Sequence, residues 1–259
     1  MSDAFTFVPI QKVKASQLVE QAIKRAIIDG SLAIGDKLPS EVDLSKQFRV
    51  NRSTIREAIR SLTKLGIIHV KKGPGQGSFL VENLPRTLSE KFEFFMEFKK
   101  ITLDQVLEFR IVIETSTAEF AAQRREEEDL QNIKKILDVD RDQTMEIGSL
   151  VGASLSFHLG IAAAAKSPLL YLILESIAEL LRRCIVQTVS SREDPSESIQ
   201  EHYEIYNAIL EGNPLKARHL MFQHLQSYRK RLKELGINLL WEGTGVDTGF
   251  SEHFKQISL

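Results

Sequence analysis

The segment from Leu38 to Gly66 constrains the fold of this chain most strongly, because its helix-capping and helix-ending residues indicate two short helices joined by a tight turn. Ser40 is a suitable N-cap, and Asp43 three residues later completes a variant capping box before the first helix. A second N-cap candidate, Asn51, follows the first helix closely, and Gly66 can supply the left-handed residue that ends the second. The spacing predicts a helix-turn-helix.

The second helix of this segment has an apolar face and a basic face. The apolar residues recur at helical spacing and predict a buried side: Ile55, Ala58, Ile59, Leu62 and Leu65. Arginines and short polar residues occupy the first turn and the other face: Asn51, Arg52, Ser53, Thr54, Arg56 and Arg60. Such groups suit contacts with phosphates and base edges in the major groove of DNA. For the segment alone, a helical hairpin with a solvated basic face is an equally good interpretation.

A glycine-rich hairpin after these helices favours DNA binding. Two β-prone runs, at 67–70 and 79–81, flank a loop that contains several glycines. We expect Lys71 and Lys72 at the tip of the hairpin, where they can meet phosphates, while Gly73 and Gly75 allow a close approach of the backbone to the duplex. A wing of this kind predicts a winged helix-turn-helix, although a plain surface hairpin would have the same pattern.

Residues 11–81 resemble the winged helix-turn-helix domain of the GntR family of bacterial transcription regulators. The resemblance includes Gly30, Gly35, the "LPSE" of 38–41, the "R.T.REA" of 52–58 and the glycine-rich wing. It implies DNA contacts from the first turn of the second helix and from the wing, at Ser40, Asn51, Arg52, Ser53, Thr54, Arg56, Arg60, Lys72, Gly73 and Gly75. Val42 stands where some members carry an arginine that reaches DNA, so the operator is expected to differ from theirs.

The charge of the chain is divided in the same way. Residues 1–82 contain 13 Lys or Arg against 8 Asp or Glu, whereas the remaining residues contain 21 against 27. A net charge of +5 in the first part is consistent with a salt-sensitive, largely nonspecific attraction to DNA. Contacts with the bases would then add sequence selectivity. We therefore expect double-stranded DNA to be the partner of the first part only.

The length allows two domains. We predict a DNA-binding domain at 8–82, a linker and first bundle helix at 83–102, a helical domain at 103–236 and a tail at 237–259. The fold is expected to be mainly α, with a small β-hairpin wing and a C-terminal antiparallel bundle of six or seven helices. A Thr102–Gln105 capping box and first-turn prolines at 195 and 214 mark helix starts. Together with the apolar periodicity, they predict helices at 87–98, 103–126, 127–143, 146–165, 168–190, 196–211 and 214–235.

Three histidines lie on the predicted inward faces of three different helices: His158, His202 and His224. One such histidine is usually a hydrogen-bonded core residue. Three that converge in one bundle favour a metal site, because neutral imidazoles are common ligands for Zn, Ni or Mn and bundle cores often host metals. His69, His219 and His253 are expected at the surface.

The second half of the chain extends the resemblance to the FadR subfamily and its helical FCD effector domain, over roughly residues 88–230. Many members bind a divalent metal there through three histidines, which match His158, His202 and His224, and through an aspartate four residues before the first of them. Here Ser154 occupies the place of the aspartate. The loss of the anionic ligand weakens charge compensation at the site.

Two interpretations of the histidine site are open. In the first, the histidines hold a metal whose open positions take water or the carboxylate of a small organic acid, which Ser154 supports by a hydrogen bond. In the second, the pocket contains no metal and the histidines bind an anionic effector directly. We favour the first, because without a metal the presence of each of the three histidines in the core would need a separate explanation. Arg110 is a candidate for the effector carboxylate, but an ion pair with Glu114 one turn later competes with that role.

These inferences predict a ligand-responsive transcription regulator that acts as a homodimer on a pseudo-palindromic operator, with repression relieved by ligand as the expected mode. A metalloenzyme is an alternative, although no nucleophile or general base accompanies the histidines. An architectural DNA-binding protein without an effector is another. No apolar run is long enough for a membrane span and no signal peptide is recognisable, so we expect a cytoplasmic protein without a membrane partner.

Overall fold

The chain divides into two compact units, Met1–Leu88 and Ser89–Leu259, each of which has its own core. The computed structural model describes residues 13–73, 75–140, 147–188 and 196–234. Within them the protein is mainly helical, with one two-stranded antiparallel sheet. The predicted fold class is therefore confirmed, whereas the predicted tail at 237–259 lies outside the described residues.

The first unit contains three helices and a hairpin: α1 (Ala15–Ile28), α2 (Glu41–Phe48), α3 (Arg52–Lys64), β1 (Ile68–Lys71) and β2 (Gly77–Leu80). The predicted apolar face of α3 is buried at Ile55, Ala58, Ile59 and Leu62, and Leu65 is half-buried. This face packs with Val19 and Ile23 of α1 in the core of the unit. Burial of one side of α3 leaves its opposite side to solvent.

The turn between α2 and α3 is stabilised locally. Ser40 caps α2, since its hydroxyl oxygen accepts a hydrogen bond from the Asp43 amide at 3.1 Å. Arg49 ends α2 in the left-handed conformation (φ 52°), and the Ser45 hydroxyl donates to the carbonyl oxygen of Val50 at 2.7 Å. Asn51 occupies the N-cap position of α3 as predicted, but its side chain makes no capping hydrogen bond.

The first strand of the wing begins and ends one residue later than the sequence predicted. Lys71 belongs to β1 and pairs with Gly77, so it does not lie at the tip, where Lys72 and Gly73 follow. The segment before α2 also joins the wing, because the Leu38 amide donates to the Ser78 carbonyl at 2.8 Å. Backbone hydrogen bonds of this kind depend on chain approach rather than on side-chain pattern, which is why the sequence did not indicate them.

Gly66 joins α3 to the wing in a position that only glycine fits. Its φ is +72°, and a Cβ placed there would lie 2.7 Å from the backbone oxygen of Asn83 and 2.3 Å from Thr87 Oγ1. Both the left-handed backbone and the close approach exclude a side chain. The predicted helix stop is thus confirmed and has a packing reason as well.

Seven helices follow in the described part of the chain: α4 (Leu84–Lys99), α5 (Leu103–Arg124), α6 (Glu127–Asp140), α7 (Ile147–Ala164), α8 (Pro168–Thr188), α9 (Ser196–Leu210) and α10 (Pro214–Glu234). Helix α5 packs against α7, α8, α9 and α10 and is the centre of the bundle. Thr102 and Gln105 form the predicted capping box of α5, and Pro214 begins α10 after the N-cap Asn213. Pro195, the other predicted first-turn proline, lies outside the described residues.

An ion-pair network joins the start of α5 to the end of α10. Arg229 donates to both carboxylate oxygens of Asp104, with Nε 2.5 Å from Oδ1, and also to Glu108 at 2.9 Å. Lys233 Nζ lies 3.2 Å from Asp104. The hydrogen bonds from Arg229, and secondarily the hydrogen bond from Lys233, lower the pKa of Asp104 from 3.8 to about 2.

We predict that Asp104→Asn lowers the free energy of unfolding of the bundle by about 1–2 kcal/mol at pH 7. The pKa of Asp104 is lower in the folded state, so this stabilisation is present above pH 3.8 and is lost as the pH falls towards 2. Urea midpoints measured from pH 7 down to pH 2 should therefore differ between the two proteins at neutral pH and converge below pH 3.8. Glu108→Gln, which removes the more exposed partner of Arg229, is the control and should cost less than about 0.5 kcal/mol; equal losses would contradict the assignment.

Candidate DNA interface and histidine site

The basic face of α3 is exposed over its length. Arg52, Ser53, Arg56 and Arg60 are all exposed, and Thr54 is half-buried. Glu41, the first residue of α2, lies 2.7 Å from Arg56 Nε and 3.9 Å from Arg52 Nη2. An exposed ion pair of this kind contributes at most about 1 kcal/mol, so both guanidinium groups can exchange Glu41 for a phosphate or a base.

The other predicted DNA contacts lie at the surface of the same unit. Asn51 and Ser40 are exposed at the starts of α3 and α2, and Lys72, Gly73 and Gly75 are exposed in the wing. Val42, which the family resemblance places where some members carry arginine, is 39 % exposed on α2. A valine there offers apolar contact but no charge to a phosphate.

The three histidines of the bundle converge in its core. His158 of α7, His202 of α9 and His224 of α10 are each no more than 3 % exposed. Their ring centroids are 4.7–5.3 Å apart, and one nitrogen from each lies within 4.8 Å of the others. Phe157, which is fully buried, stacks on His202 at 4.3 Å and closes one side of the cluster.

A carboxylate lies behind each of two histidines. Glu114 Oε2 is 2.6 Å from His158 Nδ1, and Glu201 Oε2 is 2.7 Å from His224 Nδ1. Each carboxylate is also paired with an arginine: Arg110 Nε is 2.5 Å from Glu114, and Arg231 is 3.4 Å from Glu201. A carboxylate at Nδ1 orients the ring and leaves the lone pair on Nε2.

Burial keeps the imidazoles of His158 and His224 neutral near pH 7. It lowers the pKa of His158, an effect that Glu114 only partly offsets, and it lowers the pKa of His224 well below its ordinary value. Burial by itself would raise the pKa of Glu114, but Arg110 and His158 outweigh it, so this carboxylate stays ionised. His158 and His224 are therefore neutral histidines, each with a carboxylate beside it, which is the protonation state that metal ligation requires.

The spacing of two of the histidines fits a metal ion. His158 Nε2 and His224 Nε2 face each other at 3.4 Å. Two nitrogen ligands about 2.1 Å from a zinc ion at the tetrahedral angle are also about 3.4 Å apart. When the proton of each ring is on the Nδ1 that faces a carboxylate, the two Nε2 lone pairs point at each other in a buried site, and a cation between them would relieve that repulsion.

The remaining predicted site residues have different environments. Ser154 is half-buried on α7, one turn before His158. Arg110 is 3 % exposed and forms an ion pair with Glu114, so its charge is already compensated by a carboxylate that contacts His158. Arg110 thus acts on the histidine site through Glu114.

Sequence reasoning missed Glu41, Glu201 and the contact of Glu114 with His158. Glu41 is 15 residues from Arg56, and Glu201 is 23 residues from His224. Such pairs depend on how two helices pack and on the rotamers at their contact. For Glu201 one signal was available, because it directly precedes His202 in the sequence.

A cleft between α9 and α10 borders the histidine site. Its volume is about 400 Å³, and its lining includes Glu201, Glu204, Gln223, His224 and Ser227. His224 and Glu201 are therefore the members of the site that lie closest to this opening.

Two protein-family models match the chain. The model described as bacterial regulatory proteins, gntR family, matches residues 15–77, and the FCD domain model matches residues 105–227. The first covers α1 to the start of β2, including the exposed basic face of α3. The second covers all three histidines.

Curated relatives match over most of their length. The HTH-type transcriptional regulator LutR of Bacillus subtilis is 32% identical over 211 residues, which are 77% of this chain and 92% of the relative. The Uxu operon regulator of Haemophilus influenzae is 29% identical over 222 residues, 84% of this chain and 81% of the relative. The transcriptional repressor NanR of Cronobacter sakazakii is 25% identical over 223 residues, 85% of each chain.

A solved structure supports the fold. The GntR protein of Streptococcus agalactiae aligns with a TM-score of 0.65 at 23% identity, over 83% of this chain and 99% of that one. Among the helices of the described residues, none combines the length and the low charge needed to cross a membrane.

Proposed function

Because the chain belongs to the GntR family of bacterial transcription regulators, in the FadR-like subfamily that carries an FCD domain, we propose that its histidine site is the ligand input that controls DNA binding. The protein is a DNA-binding regulator with an effector-binding domain and not an enzyme. The metalloenzyme alternative is therefore set aside. The observation that carries the proposal is the buried pair of Nε2 atoms at 3.4 Å, each backed by a carboxylate.

The proposed DNA contacts come from α3 and the wing. Arg52 and Arg56 would reach base edges or phosphates, with help from Ser40, Asn51, Ser53, Thr54 and Arg60. Lys72, with the backbone at Gly73 and Gly75, would contact phosphates beside the major groove. GntR regulators typically act as dimers, and a homodimer of this chain would present two copies of α3 to a pseudo-palindromic operator, with half-sites about 34 Å apart or less.

The proposed input is a divalent metal held by His158, His202 and His224. Zn, Ni and Mn are the candidates, and the bound ion would supply a positive centre for an anionic ligand. Three neutral imidazoles give the ion no anionic ligand, since Ser154 carries no charge, and Glu114 and Glu201 contact the outer nitrogens of the rings. A small organic acid is therefore the effector class we propose, because its carboxylate would supply the missing negative charge.

The proposed mode is repression relieved by the effector. The relatives include a transcriptional repressor, NanR of Cronobacter sakazakii, and the Glc operon transcriptional activator of Escherichia coli, so the sign differs between similar proteins. In either mode, the effector changes operator affinity only through its different affinities for the two states of the regulator. The alternative of an architectural DNA-binding protein without an effector would give the three buried histidines no function.

The proposal is tested first by selection of DNA from a random pool with the purified full-length protein. We expect enrichment of a pseudo-palindrome whose half-site centres are about 34 Å apart or closer. Native mass spectrometry of the same preparation, with elemental analysis, should report a dimer with at least about half an equivalent of metal per chain. A monomer, or a pool without enriched sequences, would contradict the DNA-binding model, and protein free of metal after metal-replete expression would favour direct binding of an anion by the histidines.

Glu201→Gln should weaken metal binding about 10- to 100-fold, because the neutral amide orients His224 less firmly and no longer stabilises the positive site. Affinity is measured by competition with a chromophoric chelator. Glu204→Gln, one turn later on α9 and also beside the cleft, is the matched control and should bind metal as the wild type does. Equal affinities for the wild type and Glu201→Gln would show that Glu201 has no such role.

A further inference from the structure

Glu41 connects the start of α2 to the basic face of α3. It is the first residue of α2, directly after the N-cap Ser40, and its Oε2 atom lies 2.7 Å from Arg56 Nε and 3.9 Å from Arg52 Nη2. Because α2 and α3 pack against each other in the first unit, the fold fixes the position of this carboxylate relative to α3. Glu41 therefore lies beside both arginines of the proposed DNA contact, and closest to Arg56.

The hydrogen bond to Glu41 uses only one donor of the Arg56 side chain. The donor is Nε, and within the described residues Glu41 is the hydrogen-bond partner that the structure gives Arg56. A guanidinium group has five N–H donors in a planar fork, so those on Nη1 and Nη2 remain available. The side chain is 52 % exposed. Arg56 thus presents two parallel donors to solvent while its plane is held through Nε.

Among the four bases, two parallel donors match guanine. In the major groove guanine offers O6 and N7 as adjacent acceptors, whereas adenine and cytosine each present an amino donor and thymine has a methyl group beside one acceptor. A phosphate also accepts two hydrogen bonds from arginine, but the carboxylate of Glu41 repels it and partly compensates the charge of Arg56. The neutral guanine edge avoids that repulsion. The contact with Glu41 therefore favours a guanine over the DNA backbone as the partner of Arg56.

We infer that Glu41 is a positioning residue for sequence recognition, which holds Arg56 by Nε so that Nη1 and Nη2 bind a guanine in each half-site. The inference rests on the DNA contacts of the proposed function and adds the base that Arg56 recognises. An arginine whose plane is fixed before binding loses less side-chain freedom on the DNA, and it adapts less well to the wrong base. Only Arg52 then exchanges Glu41 for a group of the DNA.

Selection of DNA from a random pool by the wild type, Arg56→Ala and Glu41→Ala tests the inference. Arg56→Ala should lose the preference for guanine at one position of each half-site. Glu41→Ala should relax the same position, although it retains every arginine. In anisotropy titrations, replacement of that G·C pair by A·T should weaken binding about 10-fold or more for the wild type and less than about 3-fold for Glu41→Ala.

Binding to random-sequence DNA separates positioning from a merely structural role. Loss of a carboxylate strengthens the general attraction to DNA, so Glu41→Ala should bind random-sequence DNA at least as tightly as the wild type while its operator affinity falls. A folding defect would weaken both. Glu82→Ala is the matched control, because Glu82 is exposed after β2 and its loss changes the net charge equally. This control should keep the guanine preference.

The outcomes distinguish this inference from the DNA contacts on which it rests. If Arg56→Ala leaves every base preference unchanged, the proposed contact of Arg56 with DNA is itself wrong. If Arg56→Ala relaxes a guanine position that Glu41→Ala retains, or if that position holds an A·T pair, only the role of Glu41 is overturned. Should Glu41→Ala fail to fold by circular dichroism, Glu41→Gln decides the question, since it keeps the size of the side chain and removes its charge.

Discussion

Arg52→Ala and Arg56→Ala should each weaken operator binding about 10- to 100-fold while the protein remains folded. A guanidinium group that contacts a base or phosphate contributes about 1–3 kcal/mol, and both side chains are more than half exposed, so the fold does not depend on them. Fluorescence anisotropy with an operator selected by the wild-type protein measures the effect. Loss of a phosphate contact should also reduce the dependence of affinity on salt.

Arg25→Ala is the matched control for these variants. Arg25 is an exposed arginine of α1 in the same unit, and its removal changes the net charge equally. We expect it to alter operator affinity only a few-fold, through the general attraction to DNA. Unchanged affinity in both α3 variants, or an equal loss in Arg25→Ala, would be inconsistent with recognition by α3.

His158→Ala and His224→Ala should each abolish the stabilisation that a bound metal gives the wild-type protein. Metal at 100 times its dissociation constant adds about 2.7 kcal/mol to the free energy of unfolding, which corresponds to a rise in Tm of about 5–10 °C for a domain of this size. Thermal melts with Zn, Ni or Mn, each compared with chelated protein, measure the shift. The melt of the chelated variants also reports whether they fold.

The control for the histidine variants is His219→Ala. His219 is exposed on α10, one and a half turns before His224, so it could bind metal only at the surface. Its variant should keep the full shift in Tm. A shift that survives in His158→Ala and His224→Ala, or that disappears in His219→Ala, would locate metal binding elsewhere.

The local features of the fold could be predicted because they depend on neighbours in the sequence. Ser40 and Thr102 cap their helices, Gly66 ends α3, and the helix bounds of the bundle agree with the periodicity to within a few residues. The convergence of the histidines was also predictable, since each lies on an inward face and a bundle has one interior. These conclusions need no knowledge of how any two helices are oriented.

Contacts between distant residues could not be predicted in this way. Glu201 reaches His224 and Glu41 reaches Arg56 only because particular helices cross at particular heights and the side chains adopt particular rotamers. The sequence pattern puts Lys71 at the wing tip, but pairing with Gly77 extends β1 to include it. The phenylalanines of α4 have the spacing of core residues, and only the structure shows that the described part of the chain leaves Phe94, Phe95 and Phe98 exposed.

Two residues of this chain depart from the family pattern, and each has a consequence for binding. Val42 is exposed on α2 and brings no charge to DNA, so the operator should lack the contact that an arginine makes at that position. Ser154 leaves three neutral ligands at the histidine site. The ligand that completes the site should therefore carry negative charge.

Operator binding measured with and without small acids tests the central claim most directly. Metal-loaded wild-type protein and His224→Ala are titrated onto the selected operator in the presence of a panel of 2-hydroxy acids and dicarboxylic acids. We predict that at least one acid changes the operator Kd of the wild type at least about 5-fold and leaves that of His224→Ala unchanged. If no acid changes the wild-type Kd, or if the change is the same in His224→Ala, the histidine site is not the input.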